Sequence, residues 1–246
     1  MKRQTLEVSP TCWCGNKTYD LKGIKSWEIV PNTSVSLGQC KSCGTIRTLS
    51  CEYDDYTANL YNNNLSKRHL NSIETIKKYC TGSVLDIGCN CGEILNALSK
   101  YDNYTKLRGI DYNIDAVEYG KHSFGLDLKT DRLDYVIASN DRYDSIIMVH
   151  TFEHIINPIE VLTKVETLFN INGPRLLYLC VPNTETDNFK SFGALDPREH
   201  CWHFTTETLT ALLRATYKNM DIKLVRTSDI WYNKEQIEIV LEVGEQ

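Results

Sequence analysis

Ser83-Val-Leu-Asp-Ile-Gly-Cys-Asn-Cys-Gly92 is the stretch that sets the fold of this chain. Residues 83–87 form a short apolar run that carries a single acid, the pattern of a parallel strand buried on both faces. Gly88 and Gly92 lack a Cβ, so the backbone can turn sharply there and come close to a ligand. Residues 93–99 then take up helical periodicity, with Ile94, Leu95 and Leu98 on one face. Strand, glycine turn and helix make the first unit of a nucleotide-binding α/β domain, whose ligand sits at the helix N-terminus.

The turn also says which ligand to expect. A dinucleotide fingerprint has three glycines, the first two flanking one residue. Here Asn90 stands at the second glycine's place, and Asp86 precedes the turn. An acid inside the turn repels a pyrophosphate and suits a cationic ligand, such as one bearing the ammonium and sulfonium groups of S-adenosylmethionine. Asp111 closes the next predicted strand, 107–111, where a carboxylate can take two ribose hydroxyls. An ordinary core strand with an incidental glycine turn is the bland alternative.

The run Val84-Leu-Asp-Ile-Gly-Cys-Asn-Cys-Gly92 resembles motif I of the class I S-adenosylmethionine-dependent methyltransferases, and Gly109-Ile-Asp111 resembles their motif II. Asn90 and Cys91 depart from the usual glycine and small residue. The resemblance implies an α/β fold: a Rossmann-like, mostly parallel sheet with helices on both faces and an antiparallel C-terminal strand. It implies S-adenosyl-L-methionine as cofactor, held by Asp86, Gly88, Cys89, Asn90, Gly92, Asp111 and Tyr112, with Asp131 in the loop that meets adenine.

The chain has 246 residues, enough for one large α/β domain and a small appendage. At 41% hydrophobic and 24% charged residues it has the composition of an ordinary globular protein. The net charge is −5, and Lys67-Arg68 and Lys77-Lys78 are isolated basic pairs, which disfavours a nucleic-acid partner. No apolar run approaches membrane-spanning length, and Met1-Lys-Arg is not followed by a secretory apolar region. A cytoplasmic, reducing setting is therefore expected. There, ten cysteines read as metal ligands or core residues and not as disulfides.

Residues 1–50 hold Cys12-Trp-Cys14-Gly and Cys40-Lys-Ser-Cys43-Gly. Two cysteine pairs, each followed by glycine, are what a tetrahedral zinc site built from two knuckles requires. Cys12, Cys14, Cys40 and Cys43 are thus expected to hold a structural Zn2+ in a small ribbon, with Cys51 as a spare. Between the pairs, Trp27, Ile29, Val30, Val35 and Leu37 suggest a small hairpin. So short a segment buries little core, so the metal would supply its folding energy. Free buried cysteines are the alternative. Residues 51–64 set Tyr53, Tyr56 and Tyr61 among acids and asparagines and read as a linker that doubles as a lid, or as a plain surface loop. Residues 65–246 form the cofactor-binding domain.

Within that domain a helix is expected over 65–79, another over 116–121, and a buried strand over 143–149. The segments 125–128 and 133–138 are ambiguous. His150-Thr-Phe-Glu-His154-Ile-Ile-Asn-Pro158 follows the strand, then a helix over 159–169 and a strand over 175–181. This run resembles motifs IV to VI of the same methyltransferases. Strands over 222–227 and 236–243 resemble their C-terminal hairpin.

Methyl transfer is an in-line displacement, so acceptor and donor must be held at near-contact distance. A hydroxyl or acidic carbon acceptor also needs a base. Two clusters lie where such a base belongs, beyond the carboxyl ends of the strands: His150, Glu153 and His154, and Asp196-Pro-Arg-Glu199-His200-Cys-Trp-His203-Phe. His200 is the candidate base, because imidazole titrates near neutrality, with Glu199 to orient it or act itself. His154 and His150 are further candidates. Glu153 could instead serve a helix dipole, and His203 could simply pack. Glu153, His154 and His200 could also gather a divalent metal, which spacing cannot decide. The segment resembles the one that carries the base in zinc-containing sugar methyltransferases, which implies a sugar or nucleotide-sugar acceptor. Methylation of RNA or protein gripped by the zinc ribbon, and a non-catalytic cofactor-binding scaffold, are the competing readings. A homo-oligomer stays open.

Overall fold

The protein is described by a computed structural model covering residues 3–7, 11–22, 34–54, 67–131, 133–185, 200–231 and 234–244. The chain opens with four strands, β1 (Arg3–Glu7), β2 (Tyr19–Lys22), β3 (Ser34–Cys40) and β4 (Ile46–Asp54). Helix α1 (Lys67–Tyr79) leads into the alternating part: β5 (Gly82–Ile87), α2 (Glu93–Leu98), β6 (Tyr104–Ile110), α3 (Ile114–Phe124), β7 (Asp127–Lys129), α4 (Leu133–Ala138) and β8 (Ser145–Val149). A 3-10 turn (Phe152–His154) precedes α5 (Pro158–Glu166) and β9 (Leu176–Pro182). The chain closes with β10 (Trp202–His203), α6 (Thr206–Thr216), β11 (Met220–Trp231) and β12 (Lys234–Val243).

The main sheet runs β11-β12-β9-β8-β5-β6-β7. Strands β7, β6, β5, β8 and β9 are mutually parallel, while β12 lies antiparallel to β9 and β11 antiparallel to β12. The centre of the sheet is where the apolar runs are. Every residue of β8 and of β9 is buried. Successive side chains on a strand point to opposite faces, so these runs feed two cores. Leu85, Ile146 and Met148 join one with Leu162, Val165, Leu209 and Leu212. Val84, Ile147 and Val149 join the other with Ile73, Ile76, Leu95 and Val117. Helices α5 and α6 therefore cover one face, and α1, α2 and α3 the other. This is the Rossmann-like architecture that the glycine turn implied. Of the two ambiguous segments, one supplies the short edge strand β7 and the other becomes α4.

The N-terminal strands form a second sheet, β1-β4-β3-β2. Strand β4 runs on past residue 50 to Asp54 and pairs with β1 as far as that residue. It also accepts β10 from the far end of the chain, Trp202 opposite Arg47 and His203 opposite Ile46. The N-terminal sheet is thereby stitched to the segment that carries His200. The centre of the expected hairpin, with Trp27, Ile29 and Val30, lies outside the described residues, as do residues 55–64 of the expected lid and linker, including Tyr56 and Tyr61.

Candidate active site

The carboxyl ends of β5, β6 and β7 sit side by side, and the cofactor candidates lie along that edge. Asp86 is buried near the end of β5. Burial, and then the charge of Asp111, push its carboxyl up to about 8. The turn that follows is held down onto β6: the N–H groups of Gly88 and Cys89 both donate to the Ile110 carbonyl, at 2.8 and 3.1 Å. Gly88 has φ +78, and a Cβ there would collide with the Thr151 side chain. Asn90 keeps the left-handed conformation of the glycine it replaces, φ +50, which asparagine tolerates better than most residues. Its N–H donates to Asp111 Oδ2 at 2.8 Å, while Asp111 Oδ1 accepts from the Asn113 N–H at 2.8 Å. Asp111 thus ties the glycine turn to the start of α3. Cys89 is buried, its sulfur packed over Gly109 and its thiol pushed up by burial, so it offers the site only backbone. Tyr112 is 88% exposed beside Asp111. Asp131 follows β7 on the same edge.

The histidine cluster is the neighbour of this turn. Thr151 is the link: its hydroxyl points at the Gly88 carbonyl, 3.5 Å away, and lies between His150 and the 3-10 turn. His150 follows β8 directly, in a left-handed conformation, φ +52. Its Nε2 meets Gln236 Oε1 at 3.1 Å and its Nδ1 faces Glu153 Oε1 at 3.6 Å. Burial alone would lower the pKa of this ring, but the Cys180 sulfur and the Glu153 carboxylate beside it push it up to about 10. Glu153 is 1% exposed. His154 Nε2 stands 3.8 Å from Glu153 Oε1 and His200 Nε2 3.9 Å from the same atom. Burial opposes its ionisation, yet the surrounding imidazoles hold its carboxyl down to about 2. The His154 and His200 rings meet edge to face with centroids 4.8 Å apart.

Four contacts bring His200 here. The Cys201 N–H donates to the Glu153 carbonyl at 2.9 Å, and Trp202 Nε1–H donates to the Ile155 carbonyl at 2.8 Å. From the other side, the Thr48 hydroxyl donates to the His200 carbonyl at 2.8 Å and lies 3.0 Å from His203 Nε2. A hydroxyl that gives its proton to the carbonyl receives one from His203, which sets that ring's tautomer. Burial, and then His200, push His203 down to about 3, so it stays neutral. Glu199 lies outside the described residues. Sequence alone does not point to Thr48 or Thr151, because nothing in their local pattern marks them.

The four expected cysteines converge. Cys12 and Cys43 sulfurs are 3.5 Å apart and those of Cys14 and Cys40 3.6 Å, and all four lie within 4.8 Å of one another. Zn–S bonds of about 2.3 Å in a tetrahedron put sulfurs about 3.8 Å apart, so the donor set fits zinc. Gly15 and Gly44, at φ +84 and +76, close the two knuckles. Each is the left-handed position that glycine fills without strain. The side chain of Cys51, the expected spare, lies outside the described residues.

A shallow cleft lined by Ile171, Arg175, Asn219 and Glu242 lies at the opposite end of the sheet, where the parallel strands begin. Ligands of open α/β sheets bind at the carboxyl ends, so the edge holding Asp86 and Asp111 is the candidate. No helix among the described residues is long and apolar enough to cross a membrane.

The same fold is seen in solved methyltransferases. The fold is similar to that of the plantazolicin methyltransferase BpumL in complex with a pentazolic desmethylPZN analog and SAH, with TM-score 0.56, 17% identity, and coverage of 72% of this chain and 83% of that one. It is also similar to the small RNA methyltransferase HEN1, with TM-score 0.55, 18% identity, and coverage of 82% of this chain and 28% of that one. Over 110 residues, 42% of this chain, it is 27% identical to the mitochondrial ubiquinone biosynthesis O-methyltransferase of Candida albicans, and it spans 33% of that relative's length. Residues 51–216 match the family described as a methyltransferase domain, which takes in the glycine turn, Asp111, the Glu153 cluster and the His200 segment. With most of its length inside that match, the chain belongs to the methyltransferase-domain family, the class of enzyme that its motif at Val84 to Gly92 resembles.

Proposed function

We propose that this chain transfers a methyl group from S-adenosylmethionine to a hydroxyl, or to a carbon, of a small polar acceptor, with sugars and nucleotide sugars as the acceptor class. The observation that carries the reading is the contact between the two halves of the site. Thr151 seats the glycine turn directly against the stretch that holds His150, Glu153 and His154. A donor in the turn and an acceptor over the cluster would be neighbours, which is the positioning that methyl transfer needs.

When bound, the donor supplies an electrophilic methyl carbon on a cationic sulfur. Asp86 is the group that meets its positive end, and a cation beside it favours the ionised carboxylate. Each Asp111 oxygen uses one lone pair on a backbone N–H, so each keeps another for a ribose hydroxyl. The backbone at Gly88, Cys89, Asn90 and Gly92 lines the approach, and Tyr112 and Asp131 lie toward the adenine end. His200 is assigned as the base that takes the acceptor's proton, with Glu199 beside it in sequence. His150 is poorly suited to that task, since a ring whose pKa is pushed up to about 10 is already protonated near neutrality. Cys12, Cys14, Cys40 and Cys43 hold a structural zinc.

The O-methyltransferase relative supports an oxygen acceptor. The RNA methyltransferase among the fold neighbours keeps a nucleic-acid acceptor as the second reading, against which the net charge of −5 weighs. Methyl transfer onto a panel of sugars, nucleotide sugars, phenols and short RNAs, read by mass spectrometry, decides the acceptor. His200→Ala is expected to leave S-adenosylmethionine affinity unchanged and to slow transfer by about 100-fold or more. Wild-type rates in that variant would remove His200 as the base.

A further inference from the structure

Among the described residues, Glu153 is a buried carboxylate with unpartnered oxygens. A carboxylate taken out of water needs hydrogen bonds or a counter-charge held close, because unpaid desolvation of an ion is expensive. Glu153 is 1% exposed, yet neither carboxylate oxygen has a hydrogen-bond partner. Its neighbours are three imidazoles at 3.6, 3.8 and 3.9 Å from the same oxygen, Oε1. These lengths exceed the 2.7–3.2 Å of an N–H···O bond. The rings stand at ion-pair distance around the oxygen, each too far for a full hydrogen bond to it.

We propose that Glu153, His154 and His200 form a metal site separate from the four cysteines, one that takes a single divalent first-row cation such as Mn2+, Co2+ or Zn2+. One ligand atom from each residue already lies within 4.8 Å of the other two. A cation bonded at about 2.1 Å would bring neighbouring donors to about 3.0–3.4 Å, a closure of roughly 0.4–0.9 Å from the 3.8 and 3.9 Å at Oε1 and of no more than about 1.8 Å between the two imidazole nitrogens. Two imidazoles and one carboxylate make a set that leaves coordination positions open, as catalytic divalent sites do and closed structural sites do not. The donor types also separate this site from the cysteine group: nitrogen and oxygen here, four thiolates there.

The scaffold around the three ligands is fixed on each side. The Cys201 N–H pins the Glu153 carbonyl, Trp202 pins Ile155, and Thr48 pins the His200 carbonyl. His150, held at Nε2 by Gln236, stands behind the carboxylate as an outer partner. The side chain of His154 is 35% exposed while those of Glu153 and His200 are 2% and 10% exposed, so the cluster meets solvent along one side. An ion and an oxygen ligand can arrive there.

The open positions suit an oxygen donor, and assigning them to the acceptor's hydroxyl rests on the function proposed above. In that arrangement the hydroxyl O–H bond breaks, its proton passes to water on the His154 side, and the oxygen is held on the cation as the nucleophile. With the cation bound, His200 acts on the acceptor's proton through the ion, as its ligand; the direct base role assigned above belongs to the cation-free protein. The cation site itself requires neither donor nor acceptor, and its test is independent of both.

That test uses the full chain with its cysteines already zinc-loaded. Mn2+ is titrated in and the free ion followed by electron paramagnetic resonance. Co2+ is titrated in parallel, where bands without thiolate-to-cobalt charge transfer report nitrogen and oxygen ligands. One equivalent of Mn2+ is expected per chain, together with such cobalt bands. Binding should weaken at least tenfold in Glu153→Gln and in His154→Ala, the latter at the partly exposed position where the fold is least at stake. No bound equivalent in the wild type, or unchanged affinity in a folded His154→Ala, overturns the site. Metal binding with no methyl transfer onto any acceptor would leave the site standing and sink the acceptor reading. Transfer undiminished in chelator, with no cation bound, would do the reverse.

Discussion

Asp86 shows what one residue contributes at this site. An acid placed at the end of a buried strand is costly, and its carboxyl is pushed up to about 8 by burial and by Asp111. The folded chain therefore keeps a proton on Asp86 where the unfolded chain, with an ordinary carboxyl near 4, has lost it. Linkage gives the sign: between about pH 4 and pH 8 this group makes the ligand-free protein less stable as pH rises, by up to about 1.4 kcal/mol per pH unit. Asp86→Asn mimics the protonated form and removes that slope. Urea unfolding across this range should show the variant gaining on the wild type as pH increases; parallel curves would contradict the burial argument. A residue bad for stability and well placed for a cationic ligand is what a binding site leaves in a core.

At the scale of elements, the consequential pairing is β4 with β10. Strand β10 is two residues long, too short to hold its place alone. It is fixed by its ladder to β4, by the stack of Arg47 on Trp202 at 4.4 Å, and by the Thr48 hydroxyl. In the proposed reaction Thr48 is a positioning residue: it touches His200 and His203 and stands on an element remote from the glycine turn. Thr48→Val keeps the shape and removes the hydroxyl, which leaves His203 Nε2 and the His200 carbonyl without this partner. An orphaned buried group costs about 1–3 kcal/mol, so the melting temperature should fall. The kinetic expectation is a lower kcat with S-adenosylmethionine affinity unchanged, because the donor half does not rest on β4. Equal loss of donor affinity would show that the variant acts by general destabilisation.

For the whole molecule, the N-terminal sheet is structural support for the segment that carries His200. A small ribbon held by a metal is folded by that metal. Here the same ribbon contributes β4, and β4 carries the ladder that places His200. Removing zinc, or Cys40→Ser, is therefore expected to lower methyl transfer severalfold along with the melting temperature. The two losses should track zinc content measured on the purified protein, one ion per chain in the cysteine site of the wild type. Transfer that survives complete loss of that zinc would make the ribbon an independent appendage.

The strand, turn and helix of the proposed donor half were legible in the sequence because their information is local. Ten consecutive residues contain the strand, the bend and the helix start, and Asp111 lies at the end of the very next strand, so spacing along the chain is nearly spacing in space. The cysteine knuckles were legible for the same reason: each pair and its glycine fold as one turn. Asn90 looked like a departure, and only its φ of +50 explains why the turn accepts it. The acceptor half was legible as residue types but not as an arrangement. His150, Glu153, His154 and His200 could be named, yet no periodicity says that three rings gather on one carboxylate oxygen. Thr48 and His200 are 152 residues apart, joined by a strand pairing between opposite ends of the chain. A sequence fixes what its neighbouring residues must do together; which distant side chains share a buried space is decided only when the sheets close on one another.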